Sequence, residues 1–276
     1  MATSNLKSTQ FLLAITFITF FLLLLHKANS SSSSSKSKKH LSFSINKFSP
    51  NESDLIFQGD AHVLSTGELQ LTKVENSGLA TPESFGRVLY TTPVKIWNSK
   101  NGKEASFTTS FSFVINSPDP GSPADGLAFF IASPDFPLGP TQPGGFLGLF
   151  NDQSVNSSNQ IVAVEFDTYT GNDWDPSLRH IGIDVNSIVS SQTAVWNWRN
   201  VDVANVIITY VAHTKTLTAT LTYPSDQASF TLTASVDLKA TLPESVRVGF
   251  SAATGGLVEI HNILRWSFKS TFKSKI

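Results

Sequence analysis

The sequence predicts an all-β fold, a sandwich built from many short strands in one domain. Three observations carry that reading. From Leu41 onward the dominant hydrophobic period is two, the repeat of a strand with one buried face. The periodic runs are rich in Thr, Ser and Val rather than in good helix formers. Gly, Pro, Asn, Asp and Ser clusters separate the runs, and no helical stripe interrupts them.

The elements follow in order. Phe107, Thr109, Phe111 and Phe113 alternate with small polar residues. Residues 127–131 are apolar on both faces, which predicts a buried central strand. Ile161, Val162, Ala163 and Val164 form a strand running into an acidic segment. Val206, Ile208 and Tyr210 alternate, then Leu217, Ala219, Leu221 and Tyr223 after a turn at His213-Thr214-Lys215. Val246, Val248 and Phe250 follow, then Leu264, Trp266 and Phe268. No repeat or linker divides the chain. The domain is placed at residues 42–272, with a short tail at 273–276.

The N-terminus reads differently. Lys7 precedes an apolar stretch at residues 11–25, and Ala28-Asn29-Ser30 offers small residues for cleavage, so residues 1–30 are read as a secretory signal peptide. The stretch is short for a membrane span and Thr16 and Thr19 break it. Residues 31–41 form a Ser/Lys-rich tail expected to be disordered. The expected destination is the secretory pathway, then the extracellular space or a plant vacuole. The chain has no Cys, so a large packed core must replace disulfides. Removing residues 1–30, with Lys7 and Lys27, leaves 18 basic against 21 acidic residues, a net charge of −3. Nothing in that balance calls for a nucleic-acid partner. Asn51 and Asn156 each open an Asn-x-Ser glycosylation pattern.

Residues 165–175 carry the chemistry. Along the strand, Val162, Val164 and Phe166 share one face, and Ala163, Glu165 and Asp167 the other. Adjacent carboxylates repel, which is tolerated for a metal ion or for a proton shared in catalysis. Further ligands follow at once: Asn172, Asp175 and then His180. Oxygen ligands suit calcium, and carboxylates with one imidazole suit manganese or another transition ion. That density favours two ions over an acid/base pair. Four loops stand out: Pro123-Ala124-Asp125-Gly126, Pro143-Gly144-Gly145-Phe146-Leu147-Gly148, the acidic loop itself, and Ala253-Thr254-Gly255-Gly256-Leu257.

At these residues the chain resembles the legume lectins. The markers are Ala124-Asp125-Gly126, Gly145-Phe146-Leu147-Gly148, Val164-Glu165-Phe166-Asp167-Thr168, Asn172-Asp173-Trp174-Asp175-Pro176, His180-Ile181-Gly182-Ile183-Asp184-Val185-Asn186-Ser187, Val248-Gly249-Phe250-Ser251 and Trp266-Ser267-Phe268. Each is weak alone; together, in this order, they are specific. The resemblance implies a jelly-roll β-sandwich and a non-catalytic, Ca2+- and Mn2+-dependent glycan-binding protein, assembled as a homodimer or homotetramer. It implies calcium on Asp167, Asn172, Asp175 and the Tyr169 carbonyl. It implies manganese on Glu165, Asp167, Asp175 and His180, with Ser190 reaching it through water. The sugar would meet Asp125, the Gly145 amide, Asn172, the Gly256 and Leu257 amides, and the Tyr169 ring. It also implies a cis peptide before Asp125.

One departure concerns register. Between Asp167 and Asp175 the chain has one residue more than the shorter family pattern, with Gly171 the apparent insertion. Counting back from Asp175 assigns the calcium and sugar role to Asn172; counting forward would assign Gly171, which has no side chain. Asn172 is preferred. Only seven residues, 256–262, separate Gly255 from the last strand run. That spacing resembles the mannose- and glucose-binding members. Two other functions compete. One is a β-sandwich glycosidase using Glu165 and Asp167, although no further Glu follows before Glu244. The other is a lectin-like storage or defence protein with weak or no sugar binding.

Overall fold

The computed structural model describes residues 41–136 and 142–272. Residues 1–30, read above as a signal peptide, the Ser/Lys-rich stretch up to residue 40 and residues 273–276 lie outside the described residues.

Sixteen strands build two antiparallel sheets among the described residues. In chain order they are β1 (Ser42–Ile45), β2 (Leu55–Gly59), β3 (His62–Val63), β4 (Leu69–Gln70), β5 (Phe85–Tyr90), β6 (Val94–Lys95), β7 (Ala105–Asn116) and β8 (Gly126–Ala132). Then follow β9 (Ile161–Asp167), β10 (His180–Val185), β11 (Gln192–Val195), β12 (Ala204–Val211), β13 (Thr216–Thr222), β14 (Ser229–Ser235), β15 (Ser245–Ala253) and β16 (Ile260–Phe272). The only α-helix among them is the single turn α1 (Leu238–Thr241). One sheet runs β14-β13-β12-β7-β16-β4-β3, with β1 on β16. The other runs β11-β10-β9-β8-β15-β5-β2, with β6 on β15.

The period-two pattern explains the packing between the sheets. Phe111 and Phe113 of β7 and Trp266 and Phe268 of β16 face Phe166 of β9 and Phe250 of β15. Phe250 lies 4.8 Å from both Phe111 and Trp266, edge to face, the arrangement that ring quadrupoles favour. Burying each such ring contributes about 1.5–3 kcal/mol. The polar handles are satisfied: Trp266 Nε1 donates to Thr109 Oγ1 at 3.0 Å, and Trp196 Nε1 to the Tyr223 hydroxyl at 3.0 Å. Trp198 and Trp174 are half-buried.

The second sheet is covered twice. Leu127, Phe129, Ile131, Val162 and Val164 face the inter-sheet core. Ala128, Phe130, Ile161 and Ala163 face a smaller cluster with Leu147, Leu149 and Phe150. This is why β8 is apolar on both faces, as its sequence predicted. It also places Glu165 and Asp167 at the end of a row that begins with Ile161 and Ala163.

One strand reading needs correction. The buried set in β16 is His261, Ile263, Trp266, Phe268 and Ser270, whereas Leu264 is half-buried. The register against β7 shifts between Ile263 and Arg265. A bulge adds one residue to one strand of the pair, so the alternation changes phase there.

Candidate metal centre and adjoining pocket

Strand pairing assembles the acidic cluster. Asp167 of β9 stands opposite His180 of β10, and Glu165 opposite Gly182. His180 Nε2 lies 3.2 Å from Glu165 Oε1 and 3.9 Å from Asp175 Oδ1. One donor atom each from Glu165, Asp175 and His180 fit within 4.8 Å of one another. The Tyr169 amide donates to Asp167 Oδ1 at 2.6 Å. Ser190 Oγ sits 2.7 Å from Glu165 Oε1 and 2.6 Å from Asp184 Oδ1. One hydroxyl proton serves only one of those oxygens, so the other contact needs a carboxyl that keeps its proton. Asp184 fits: complete burial, then the charge of Glu165, holds it well above the usual carboxylate range.

Excess negative charge defines this place. Burial, then Glu165 and Asp175, raises Asp167 well above its ordinary value. Burial pushes Asp175 up to about 6 although Asn172 donates to it. Burial pulls His180 down, but its hydrogen bond to Glu165 and the surrounding carboxylates leave it raised. The cluster is also tightly packed against β10. A methyl group on Gly182 would stand 2.0 Å from Ser190 Oγ and 2.2 Å from Glu165 Oε1. Surplus carboxylates around one imidazole, in a dry setting with a glycine opposite, fit divalent cations held by oxygen and nitrogen.

The pocket beside it centres on Asp125. The Ala124–Asp125 peptide is cis. The Asp125 amide donates to the Ala253 carbonyl at 3.2 Å, and the Thr168 amide donates to the Asp125 carbonyl at 3.2 Å. Asp125 is 5% exposed and its Oδ2 has no hydrogen-bond partner. Burial, then the charge of Glu259, pushes it up to about 7, against a hydrogen bond from the Gly255 amide that favours the ionised form. Glycines wall it: a Cβ on Gly255 would lie 3.2 Å from Asp125 Oδ2, and one on Gly144 3.7 Å away. Gly145 touches the acidic loop, since a Cβ there would come 2.5 Å from Asn172 Nδ2. Asn172 Nδ2 in turn donates to Asp175 Oδ2 at 2.8 Å. Asp125, Gly145, Asn172 and Asp175 are therefore brought together. Gly256 is exposed with nothing within 4 Å of a Cβ built on it, and Leu257 is 40% exposed. Tyr169 folds onto its own loop, its hydroxyl 2.3 Å from a Cβ built on Gly171.

Several participants escaped the sequence reading. Gly255 supplies an amide to Asp125, next to the Gly256 and Leu257 amides assigned to the sugar. Gly182 and Asp184 lay inside a quoted marker but gave no signal of their own. Phe146 packs against Trp174 beside Gly145, ring centroids 5.2 Å apart and tilted by 32°. Elsewhere, Asn51 and Asn156 are exposed, and Asn156 Oδ1 accepts from Ser158 Oγ at 2.7 Å within its own acceptor pattern.

Comparison with known proteins decides the family: the legume lectin domain profile matches residues 40–276. The chain belongs to the legume lectin family. It is 57% identical to a lectin-related protein of Cladrastis kentukea over 97% of this chain and 89% of that one. It is 57% identical to the bark leucoagglutinin of Maackia amurensis over 99% and 94%. Among solved structures, the Ulex europaeus lectin UEA-II complexed with galactose matches with a TM-score of 0.80 at 53% identity, covering 85% of this chain and 100% of that one. This legume lectin is a carbohydrate-binding β-sandwich, and its relatives are named as lectins, so the glycosidase alternative falls. The family generally binds calcium and manganese, in keeping with the acidic site with its histidine. No helix among the described residues is long and apolar enough to cross a membrane.

Proposed function

We propose that this lectin binds its sugar at Asp125 and does so only when calcium and manganese occupy the adjoining cluster. The observation that carries the reading is the Asp125 carboxylate, buried yet with Oδ2 unpaired, beside Gly144, Gly145 and Gly255. An unpaired buried acceptor costs free energy, which vicinal sugar hydroxyls would recover. Asp167, Asn172, Asp175 and the Tyr169 carbonyl would hold calcium. Glu165, Asp167, Asp175 and His180 would hold manganese, with Ser190 on its water. The ions would neutralise the carboxylates and fix Asn172 facing the pocket. Asp125 would accept from two hydroxyls; Asn172 and the amides of Gly145, Gly256 and Leu257 would donate.

For the monosaccharide, the short connection from Gly255 to β16, which starts at Ile260, supports mannose and glucose, whose equatorial 4-hydroxyl a low wall admits. A specific observation favours a second reading: the 53% identical UEA-II was solved with galactose. Competition between methyl mannoside and methyl galactoside for the pocket decides between them. Secretion, glycosylation at Asn51 and Asn156, and assembly as a dimer or tetramer complete the proposal.

A glycan-binding measurement before and after acid chelation tests the whole. Binding should vanish with the metals and return with calcium plus manganese. Undiminished binding in verified metal-free protein overturns the metal roles. No binding by the fully loaded protein favours the lectin-like storage or defence reading.

A further inference from the structure

A second buried cluster lies behind the pocket, and the roles above do not use it. Glu259, His261 and Thr72 are each 0% exposed, and Thr168 is 1% exposed. Thr168 Oγ1 donates to Glu259 Oε1 at 2.8 Å, and His261 Nε2 reaches the same oxygen at 2.8 Å. Thr72 Oγ1 lies 2.9 Å from His261 Nδ1 and donates toward the Glu259 carbonyl at 3.3 Å. These residues come from four separate places: the turn after β4, the start of the acidic loop, the loop closing the pocket, and β16.

We infer that Glu259 is a positioning residue for sugar binding, acting through Thr168 on Asp125. This rests on the pocket assignment above. Thr168 directly follows Asp167, and its amide donates to the Asp125 carbonyl at 3.2 Å. Its carbonyl accepts from Arg179 Nε at 2.9 Å. Thr168 is thus fixed on three sides, and its one side-chain contact to the pocket-closing loop is Glu259. Residues 254–259 carry Gly255, which donates to Asp125, and Gly256 and Leu257 at the mouth. Fixing Glu259 to Thr168 therefore sets the separation between the Asp125 carboxylate and the donors facing it. His261, held at both ring nitrogens, keeps the Glu259 side chain in that rotamer. Charge-assisted hydrogen bonds inside a dry cluster are short and directional, which suits a spacer.

The test uses Thr168→Val, which keeps the shape and removes the hydroxyl, with Thr168→Ser as the conservative rescue and Glu259→Gln as the partner change. The protein is loaded with calcium and manganese, and affinity for methyl mannoside and methyl galactoside is measured by calorimetry. Thr168→Val and Glu259→Gln should each weaken the better sugar about tenfold, the size of one charged hydrogen bond. The double variant should be no weaker than either single one, and Thr168→Ser should match the parent. Bound metal should stay at parental levels in all of them. Tyr210→Phe, which removes the distant Tyr210 hydroxyl bond to the Val236 carbonyl at 3.1 Å, controls for lost stability. Sugar affinities within twofold of the parent, or losses no larger than in Tyr210→Phe, overturn the inference while parental binding upholds the pocket. A loaded parent that binds neither sugar overturns both.

Discussion

Two buried histidine–glutamate pairs lie near the Asp125 loop, and they are built for different ends. In each, Nε2 faces Oε1, at 3.2 Å for His180–Glu165 and 2.8 Å for His261–Glu259. Around His261 two threonine hydroxyls meet the ring Nδ1 and Glu259 Oε1, while Glu259 Oε2 is buried with no hydrogen-bond partner. Around His180 stand Asp167, Asp175 and Asp184, all raised by burial and by neighbouring carboxylates, with Ser190 and Glu165 packed against Gly182. The difference teaches what separates a cation site from a structural polar pair. One carboxylate with one imidazole and two hydroxyls makes a structural polar pair; several carboxylates gathered on one imidazole call for a cation.

The sharpest way to break that comparison is to remove each histidine. His180→Ala should release manganese and abolish sugar binding. His261→Ala should keep both metals but lose roughly 3–5 kcal/mol of stability, because Glu259 is left buried without its partner. Metal analysis and thermal melts of the two variants check this, and equal metal loss in both would erase the distinction. Asn172→Ala should come next, damaging calcium and sugar binding together. Gly171→Ala should be milder, because the new methyl meets only the movable Tyr169 ring; the reverse order would overturn the assignment of Asn172. Gly182→Ala should weaken manganese roughly 10–100-fold by displacing Ser190 and Glu165, the usual cost of disturbing groups that orient ligands. Asp125→Asn should leave the metals in place and cost at least ~1.5–3 kcal/mol of sugar affinity, about tenfold or more.

The smallest effect concerns pH in protein stripped of metal. Folding raises Asp167, and raises Asp175 to about 6, whereas an unfolded chain releases those protons near pH 4. The folded form then binds more protons, so its stability is greatest below about pH 4 and falls as pH rises towards about 6. Melting temperatures of chelated protein should therefore drop between pH 4.5 and 7. The metal-loaded protein should lack that drop, and a flat profile without metal would count against the surplus-charge account.

Much of this was legible in the sequence. The alternation in β7, β12, β13 and β15 marked the buried faces, and β8 announced burial on both faces by having no polar position. The acidic cluster was legible because Glu165, Asp167, Asn172, Asp175 and His180 lie within one short span. Leu264 misled because a bulge changes no composition, only phase. Glu259 and His261 stayed silent because their partners Thr72 and Thr168 are roughly 190 and 90 positions away, contacts that only the sheet topology creates. Gly255 was not singled out, since two adjacent glycines do not say whose amide turns towards Asp125.

The bulge in β16 has a consequence for how such a protein can diversify. On its near side, His261 and Ile263 keep step with Glu259 and the pocket-closing loop; on its far side, Trp266 and Phe268 keep step with the aromatic core. The two halves of one strand thus obey separate registers. An added or deleted residue in the loop would be absorbed before reaching Leu264, since a strand that already carries an irregularity can migrate it at little cost. The mouth of the pocket is free to change length over generations while the tryptophan beneath it never has to turn over.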